Sequence, residues 1–274
     1  MTKTVRIHSE NDVFQTFAAL RTNRVKRNKR REFIFEGVRN INNALRHGWD
    51  VRGLLFAPER PLSGWARGVL QACSSADRFE MPMDLLAKLS AKETPSEFVA
   101  IATIPADTLS RIRTNPCSLV VVFDRPASPG NLGTLIRSCD GLGADGLIVT
   151  GNAVDVYDPE TISAATGSLF SLPTVRAPSH RELEPWLHAL RTAQPTLQVI
   201  GTDEDASAHV AEADFTRPTV LLVGNETGGL SAAYKALCDG QVRIPMQGSA
   251  SSLNVACASS IVLYEVHRQR LGMA

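Results

Sequence analysis

The feature that most constrains the fold is a continuous apolar run, Val220-Leu221-Leu222-Val223, which empties without a polar break into Gly224-Asn225-Glu226-Thr227-Gly228-Gly229-Leu230. A strand whose residues do not alternate is buried on both faces, and that calls for a parallel sheet covered by helices. A second short strand, Val242 to Ile244, meets Pro245 and opens into Gly248-Ser249-Ala250-Ser251-Ser252-Leu253-Asn254, after which a small-residue helix runs from Val255 to Arg268. Strand ends of this kind present free backbone groups where open α/β sheets hold ligands. Glycine there lets a ligand approach with no Cβ in the way.

The same rhythm runs back through the second half of the chain. Leu119-Val120-Val121-Val122-Phe123 is another uninterrupted strand, followed by a turn-rich loop from Asp124 to Gly133 and a helix from Thr134 to Leu142. Strands at Leu147–Val149 and Leu197–Ile200 alternate with helices at 157–166 and 182–191, which predicts an α/β sheet with helices on both sides over 118–274. Residues 1–105 form a separate small α/β unit. Helices are expected at 37–47, 65–72 and 83–89, and strands at 32–36, 51–56, 78–81 and 99–104, an alternation of parallel character. The polar stretch 106–117 is the expected linker. Trp49 and Trp65 read as packing residues rather than base-stacking platforms.

Composition narrows the function. No apolar run approaches the roughly 18 residues of a membrane span, and the first residues lack the apolar core of a secretion signal. Five cysteines without C-x-x-C spacing argue against a disulfide framework or a zinc site and fit a reducing cytoplasm. The six histidines are scattered, so no metal centre is expected. The net charge of +1 hides an asymmetry: residues 1–105 carry 17 Lys+Arg against 11 Asp+Glu, and the remainder carries 12 against 17. Most of the excess lies in Arg21, Arg24, Lys26, Arg27, Lys29, Arg30 and Arg31, seven cations in eleven residues. Such a run neutralises phosphates and releases counterions, so these residues are the expected RNA contacts.

The familiar nucleotide fingerprints are missing. No Gly-Lys-Ser/Thr follows Gly224, and no G-x-G-x-x-G follows the first strand of either half. A G-x-S-x-G elbow is absent too, against an α/β-hydrolase. What stands out is an ordered set of three strand-end loops: Pro129-Gly130-Asn131-Leu132-Gly133 with Arg137; Val223 to Leu230; and Ile244-Pro245-Met246 with Ser251-Ser252-Leu253-Asn254. This set resembles the three motifs of the SpoU/TrmH branch of the SPOUT RNA methyltransferases, over residues 118–270. The front half is similar to that family's RNA-binding extension, itself like certain ribosomal proteins, in the stretch Phe33-Ile34-Phe35-Glu36-Gly37-Val38-Arg39. Asp124-Arg125-Pro126 and Gly167 to Pro173 resemble the avilamycin-resistance ribosomal RNA methyltransferases within the branch. Arg125-Pro126 departs from the Gly-Val of many members.

The resemblance implies a parallel sheet with a deep trefoil knot, a homodimer, and methyl transfer from S-adenosylmethionine to a ribose 2′-hydroxyl of 23S ribosomal RNA, at a uridine, with antibiotic resistance as an outcome. It implies that Thr202, Gly224, Ile244, Ser252 and Leu253 touch the cofactor, largely through backbone. It implies Arg137 as the catalytic arginine, with Asn131, Glu226, Ser252 and Asn254 as the polar shell and Glu226 as its ionic partner. A guanidinium normally stays protonated, so positioning the hydroxyl and stabilising its alkoxide suits Arg137 better than a base role. Asn254 is also an expected N-cap for the last helix. Two alternatives remain open at this stage: a transfer RNA ribose 2′-O-methyltransferase, and a catalytically silent RNA-binding protein.

Overall fold

The computed structural model describes residues 2–271 and divides the chain into two compact units. The first comprises residues up to Ala106 together with Tyr157–Ser171; the second comprises Asp107–Val156 and the chain from Leu172 onward.

The first unit runs β1 (Thr4–Arg6), α1 (Asp12–Thr22), α2 (Arg24–Arg30), β2 (Glu32–Glu36), α3 (Val38–Arg46), β3 (Val51–Phe56), α4 (Gly64–Ala72), β4 (Asp77–Glu80), α5 (Met83–Leu89) and β5 (Val99–Thr103). Its sheet order is β1-β4-β3-β5-β2. The expected parallel character holds only for β1, β4 and β3; β5 runs antiparallel to both β3 and β2. The chain reaches β5 through α5 and the polar, Pro-containing stretch after it, and enters the sheet between β3 and β2 in the opposite direction to both. Ile7, Phe14, Leu20, Leu55, Leu86 and Ile101 centre the core of this unit.

The basic run is a helix as well as a charge cluster, and its cations are not equivalent. Arg27 is buried: one guanidinium nitrogen donates to the carbonyls of Leu20 and Arg21 at 2.9 Å each, and the other pairs with Asp158 at 3.3 Å. Its expected role as an RNA contact is therefore corrected: the side chain staples α1, α2 and the 157–171 segment within the unit. Arg21 donates to Lys88 O, Arg31 to the carbonyls of Ile104 and Pro105, and Arg30 pairs with Glu32. Lys26 and Lys29 stay exposed.

The chain then runs β6 (Leu119–Asp124), α6 (Pro129–Gly141) and β7 (Gly146–Thr150) of the second unit, α7 (Pro159–Ala165) of the first, and β8 (Thr174–Ala177), α8 (His180–Ala193), β9 (Gln198–Thr202), β10 (Ala208–His209), β11 (Thr219–Val223), α9 (Ala232–Lys235), β12 (Gly240–Arg243) and α10 (Val255–Arg270) of the second unit. The second unit holds one sheet. Its seven strands are all parallel, in the order β10-β12-β9-β11-β6-β7-β8. Strand order reverses between β6 and β11, so the loops after these two strands face one another at the switch point. β6, β7 and β11 are buried along their whole lengths, as their unbroken apolar runs require. The stretch expected to link the halves is anchored in this unit. Ile112 is buried in its core against Gly146, where any Cβ would lie 2.7 Å from the Ile112 side chain.

The excursion 157–171 supplies α7, a 3₁₀ turn at Ser168–Phe170 and an aromatic cluster. Phe170 packs on Phe35 with centroids 4.7 Å apart and on Trp49 at 5.1 Å, and Tyr157 packs on Phe33 at 4.8 Å. Trp49 Nε1 donates to Phe170 O at 2.8 Å, and Trp65 Nε1 donates to Asn42. Both tryptophans are packing residues whose polar edge has found a partner.

Because the buried Arg27 satisfies one buried and one half-buried carbonyl and a carboxylate, Arg27→Ala should lower stability by about 2–4 kcal/mol in urea unfolding. Lys29→Ala, on the exposed side of the same helix, should stay within about 0.5 kcal/mol. Equal effects would remove Arg27 from its structural role.

Candidate active site

Three loops of the second unit are joined by one line of side chains. Ser128 caps α6 with Pro129 at its first position, a pairing that starts a helix early. The expected loop from Asp124 to Gly133 is therefore shorter, and Asn131 stands on the first helical turn. Its Nδ2 donates to Glu226 Oε1 at 3.0 Å, and its Oδ1 accepts from Asn254 Nδ2 at 3.0 Å. Asn254 Oδ1 in turn caps α10, accepting from the N–H groups of Ala256 and Cys257. The direction of both amides is set by the ends of the line, since helix N–H groups only donate and a carboxylate only accepts.

Glu226 is more fully occupied than an ionic partner of Arg137 would be. It accepts from the backbone of Ala127 at 3.1 Å and Ser128 at 3.2 Å, and from the amides of Asn131 and Asn225. The expected Glu226–Arg137 pair does not form within this protomer, where the carboxylate binds the loop after β6 to the loop after β11. Arg137 is exposed, with no hydrogen bond or ion pair to any described residue. It lies six residues beyond Asn131, about 9 Å along the helix and roughly 120° around it, so the two side chains leave α6 in different directions.

Thr202, Gly224, Ile244, Ser252 and Leu253 all line a single cavity of about 450 Å³, together with Asn225, Glu226 and residues of α10. That volume falls within the range of small-molecule sites. Thr202 Oγ1 is turned to Leu222 O, so what this residue offers the cavity is backbone. From Pro245 to Leu253 no backbone group is hydrogen-bonded to another described residue, and Met246, Ser251, Ser252 and Leu253 of this stretch line the cavity. Gly224 is required by close approach: a Cβ there would sit 2.2 Å from Gly229 C and 2.3 Å from Leu230 N. Asn225 and Gly229 bond each other's backbone in both directions at 3.0 Å, closing the loop into a rigid lobe. Ser252 lines the cavity but makes no bond to the Asn131 line; it stands apart from the shell it was expected to join.

Sequence reading missed Lys235 and Asp203, which also line the cavity and pair at 2.5 Å. Lys235 sits on α9, a four-residue helix too short to carry a periodic signal. The Lys235 hydrogen bond is the largest influence holding the Asp203 carboxyl below its ordinary range. The folded form is the one with the lowered value, so the pair's contribution is present above about pH 4 and is lost as pH falls through that lowered value. A backbone-lined cavity with this charged corner fits an adenosine-bearing amino-acid cofactor, whose base edge needs fixed donors and acceptors and whose charged tail needs polar company.

Comparison with known proteins agrees with this geometry and with the motif resemblance. The SpoU rRNA Methylase family matches residues 118–264, and the SpoU L30e-like domain matches residues 11–100. The chain is 52% identical to the 23S rRNA (uridine(2479)-2′-O)-methyltransferase of Streptomyces viridochromogenes over 97% of its own length and 93% of that protein. It is 29% identical to the 23S rRNA (guanosine(2553)-2′-O)-methyltransferase RlmP of Bacillus subtilis, covering 88% and 90%. Among solved structures, the SpoU methyltransferase AviRb from Streptomyces viridochromogenes in complex with AdoMet superposes with a TM-score of 0.91 at 52% identity, covering 95% of this chain and 98% of that one. An AdoMet-bound rRNA methyltransferase from Sinorhizobium meliloti gives 0.84 at 30% identity, covering 97% and 98%.

Gly224→Ala should displace the 224–230 lobe and abolish cofactor binding in calorimetry while the chain still folds. Glu226→Gln, which turns an amide donor toward donors, should cost about 1–3 kcal/mol of stability. Cofactor affinity unchanged in Gly224→Ala would show that the lobe does not shape the cavity.

Proposed function

Because this chain belongs to the SpoU rRNA methylase family, we propose that it transfers a methyl group from S-adenosylmethionine to the ribose 2′-hydroxyl of a uridine in 23S ribosomal RNA. The observation that carries the reading is the near full-length 52% identity to a uridine 2′-O-methyltransferase of that RNA, in a chain whose five expected cofactor residues line one cavity. The bound cofactor supplies an electrophilic sulfonium methyl. The protein's task is to hold the cofactor by the free backbone of 245–253 and the 224–230 lobe, and to present the sugar oxygen.

Arg137 is the catalytic residue in this reading. Its positive charge would orient the hydroxyl beside the RNA phosphate and stabilise the developing alkoxide as its proton passes to solvent water. Asn131, Glu226 and Asn254 hold the loops that frame the reaction, and Ser252 faces the cofactor. Arg137 has no ion pair among the described residues of its own protomer, while Ile261 and Tyr264 leave apolar surface exposed on α10. Both features support a homodimer in which Arg137 serves the cavity of the partner, through an isologous interface. The exposed Lys26 and Lys29 of α2 supply phosphate contacts, and a ribosomal substrate puts the enzyme in the cytoplasm. The relationship to AviRb supports a resistance role for the modification.

Incubation with labelled cofactor followed by nucleoside mass spectrometry should place the label on a 2′-O-methyluridine of 23S RNA. Label on transfer RNA would redirect the substrate, and label on neither RNA would overturn the enzyme reading. Arg137→Ala should abolish transfer with cofactor affinity nearly intact. Mixing it with Gly224→Ala should restore part of the activity, because each heterodimer then holds one complete site. No recovery from exchanged subunits would place Arg137 in its own protomer's site.

A further inference from the structure

β6 ends at Asp124, and the next residue, Arg125, has φ 53° in the left-handed region, where a side chain is strained and glycine is not. The conformation is maintained at a further sacrifice: a Cβ on Gly151 would lie 2.5 Å from Arg125 Cγ, so position 151 carries no side chain beside the arginine stem. Arg125 Nε is buried without a partner among the described residues. The strain and the unbonded donor are balanced by what the rest of the residue grips. Arg125 O accepts from Asn225 Nδ2 at 2.6 Å, and Arg125 Nη2 donates to Gly229 O at 3.2 Å. The same nitrogen pairs at 3.1 Å with Asp124 Oδ2, a buried oxygen that also accepts from Ser231 N. One residue thus holds the lobe at its start, at its glycine tip and, through Asp124, at its exit.

We propose that Arg125 is a positioning residue for cofactor binding: it fixes the 225–231 lobe against the end of β6 so that Gly224 to Gly229 present a preformed cavity wall. The inference rests on the reading of the cavity as the S-adenosylmethionine site. Arg125 does not line the cavity and touches none of the reacting atoms in this account. Its effect is carried by the lobe, as reduced ordering cost when the cofactor binds.

The test uses the full-length enzyme, with Arg125→Gly, which removes the strain together with the strut, and Arg125→Lys, which keeps the charge beside Asp124. Calorimetry with S-adenosylmethionine should show at least a fivefold weaker Kd for Arg125→Gly and an intermediate value for Arg125→Lys. Hydrogen exchange should quicken in peptides spanning 225–231 and slow again on adding cofactor. KM for the cofactor should rise in step with Kd, and kcat at saturating cofactor and RNA should stay within twofold. A residue that only supports the fold would lower Tm and leave Kd of the folded enzyme unchanged. Unchanged Kd, or a fall in kcat at saturation, overturns the proposal. Failure of the unaltered enzyme to bind S-adenosylmethionine would instead overturn the functional reading on which it stands.

Discussion

The active end of the second unit depends on the hydrogen bond between Asn131 and Glu226, extended by Asn254 to the N-terminus of α10. Glu226 belongs to the lobe after β11, Asn131 to the first turn of α6, and Asn254 to the end of the long loop after β12. No backbone pairing closes these three segments against one another. The side-chain line does so, and it can run in only one direction because one end is a carboxylate and the other a pair of helix N–H groups. Helix α10 continues from this anchor along α6, where Ser260 and Ser138 meet hydroxyl to hydroxyl at 2.7 Å. Small residues on α10 allow that approach and leave Val255, Ala258 and Val262 to back the cavity.

Arginine has three separate uses in this chain. Arg27 is consumed inside the first unit, its own side chain buried while it bonds two carbonyls and a half-buried carboxylate. Arg125 is a strut held in a strained conformation. Arg137 is left exposed with no bond to the described residues, and among these three it alone keeps a guanidinium available for chemistry. A planar group with five donors suits all three uses, and what separates them is which donors the surrounding fold has already taken.

Much of this was legible beforehand. The unbroken apolar runs at 119–123 and 220–223 are buried strands because nothing else accommodates them, and the glycine-rich loop after β11 and the serine-rich loop after β12 bound one cavity. Gly224 and Leu253 were readable from motif order. The relation of β5 to its neighbours was not, since strand direction depends on how a loop returns and periodicity is blind to it. Nor could sequence separate Arg27 from Lys29. Both sit in one charge run, and what distinguishes them is tertiary: the carbonyls at the end of α1 and the Asp158 carboxylate, 131 residues away. Glu226 was expected to pair with Arg137, and within the protomer its partners are different ones. Its charge suggested an arginine, whereas four nearer donors already occupy it.

The central claim is that Asn131 and Asn254 act as one device, and a double-mutant cycle measures this directly. Asn131→Ala, Asn254→Ala and the double variant would be compared for cofactor Kd, with stability recorded alongside. If the line holds the cavity closed, the double variant binds cofactor little worse than the weaker single variant, with a coupling of about 1 kcal/mol or more. Simple additivity of the two losses would mean that the loops are held independently, and the account would be contradicted.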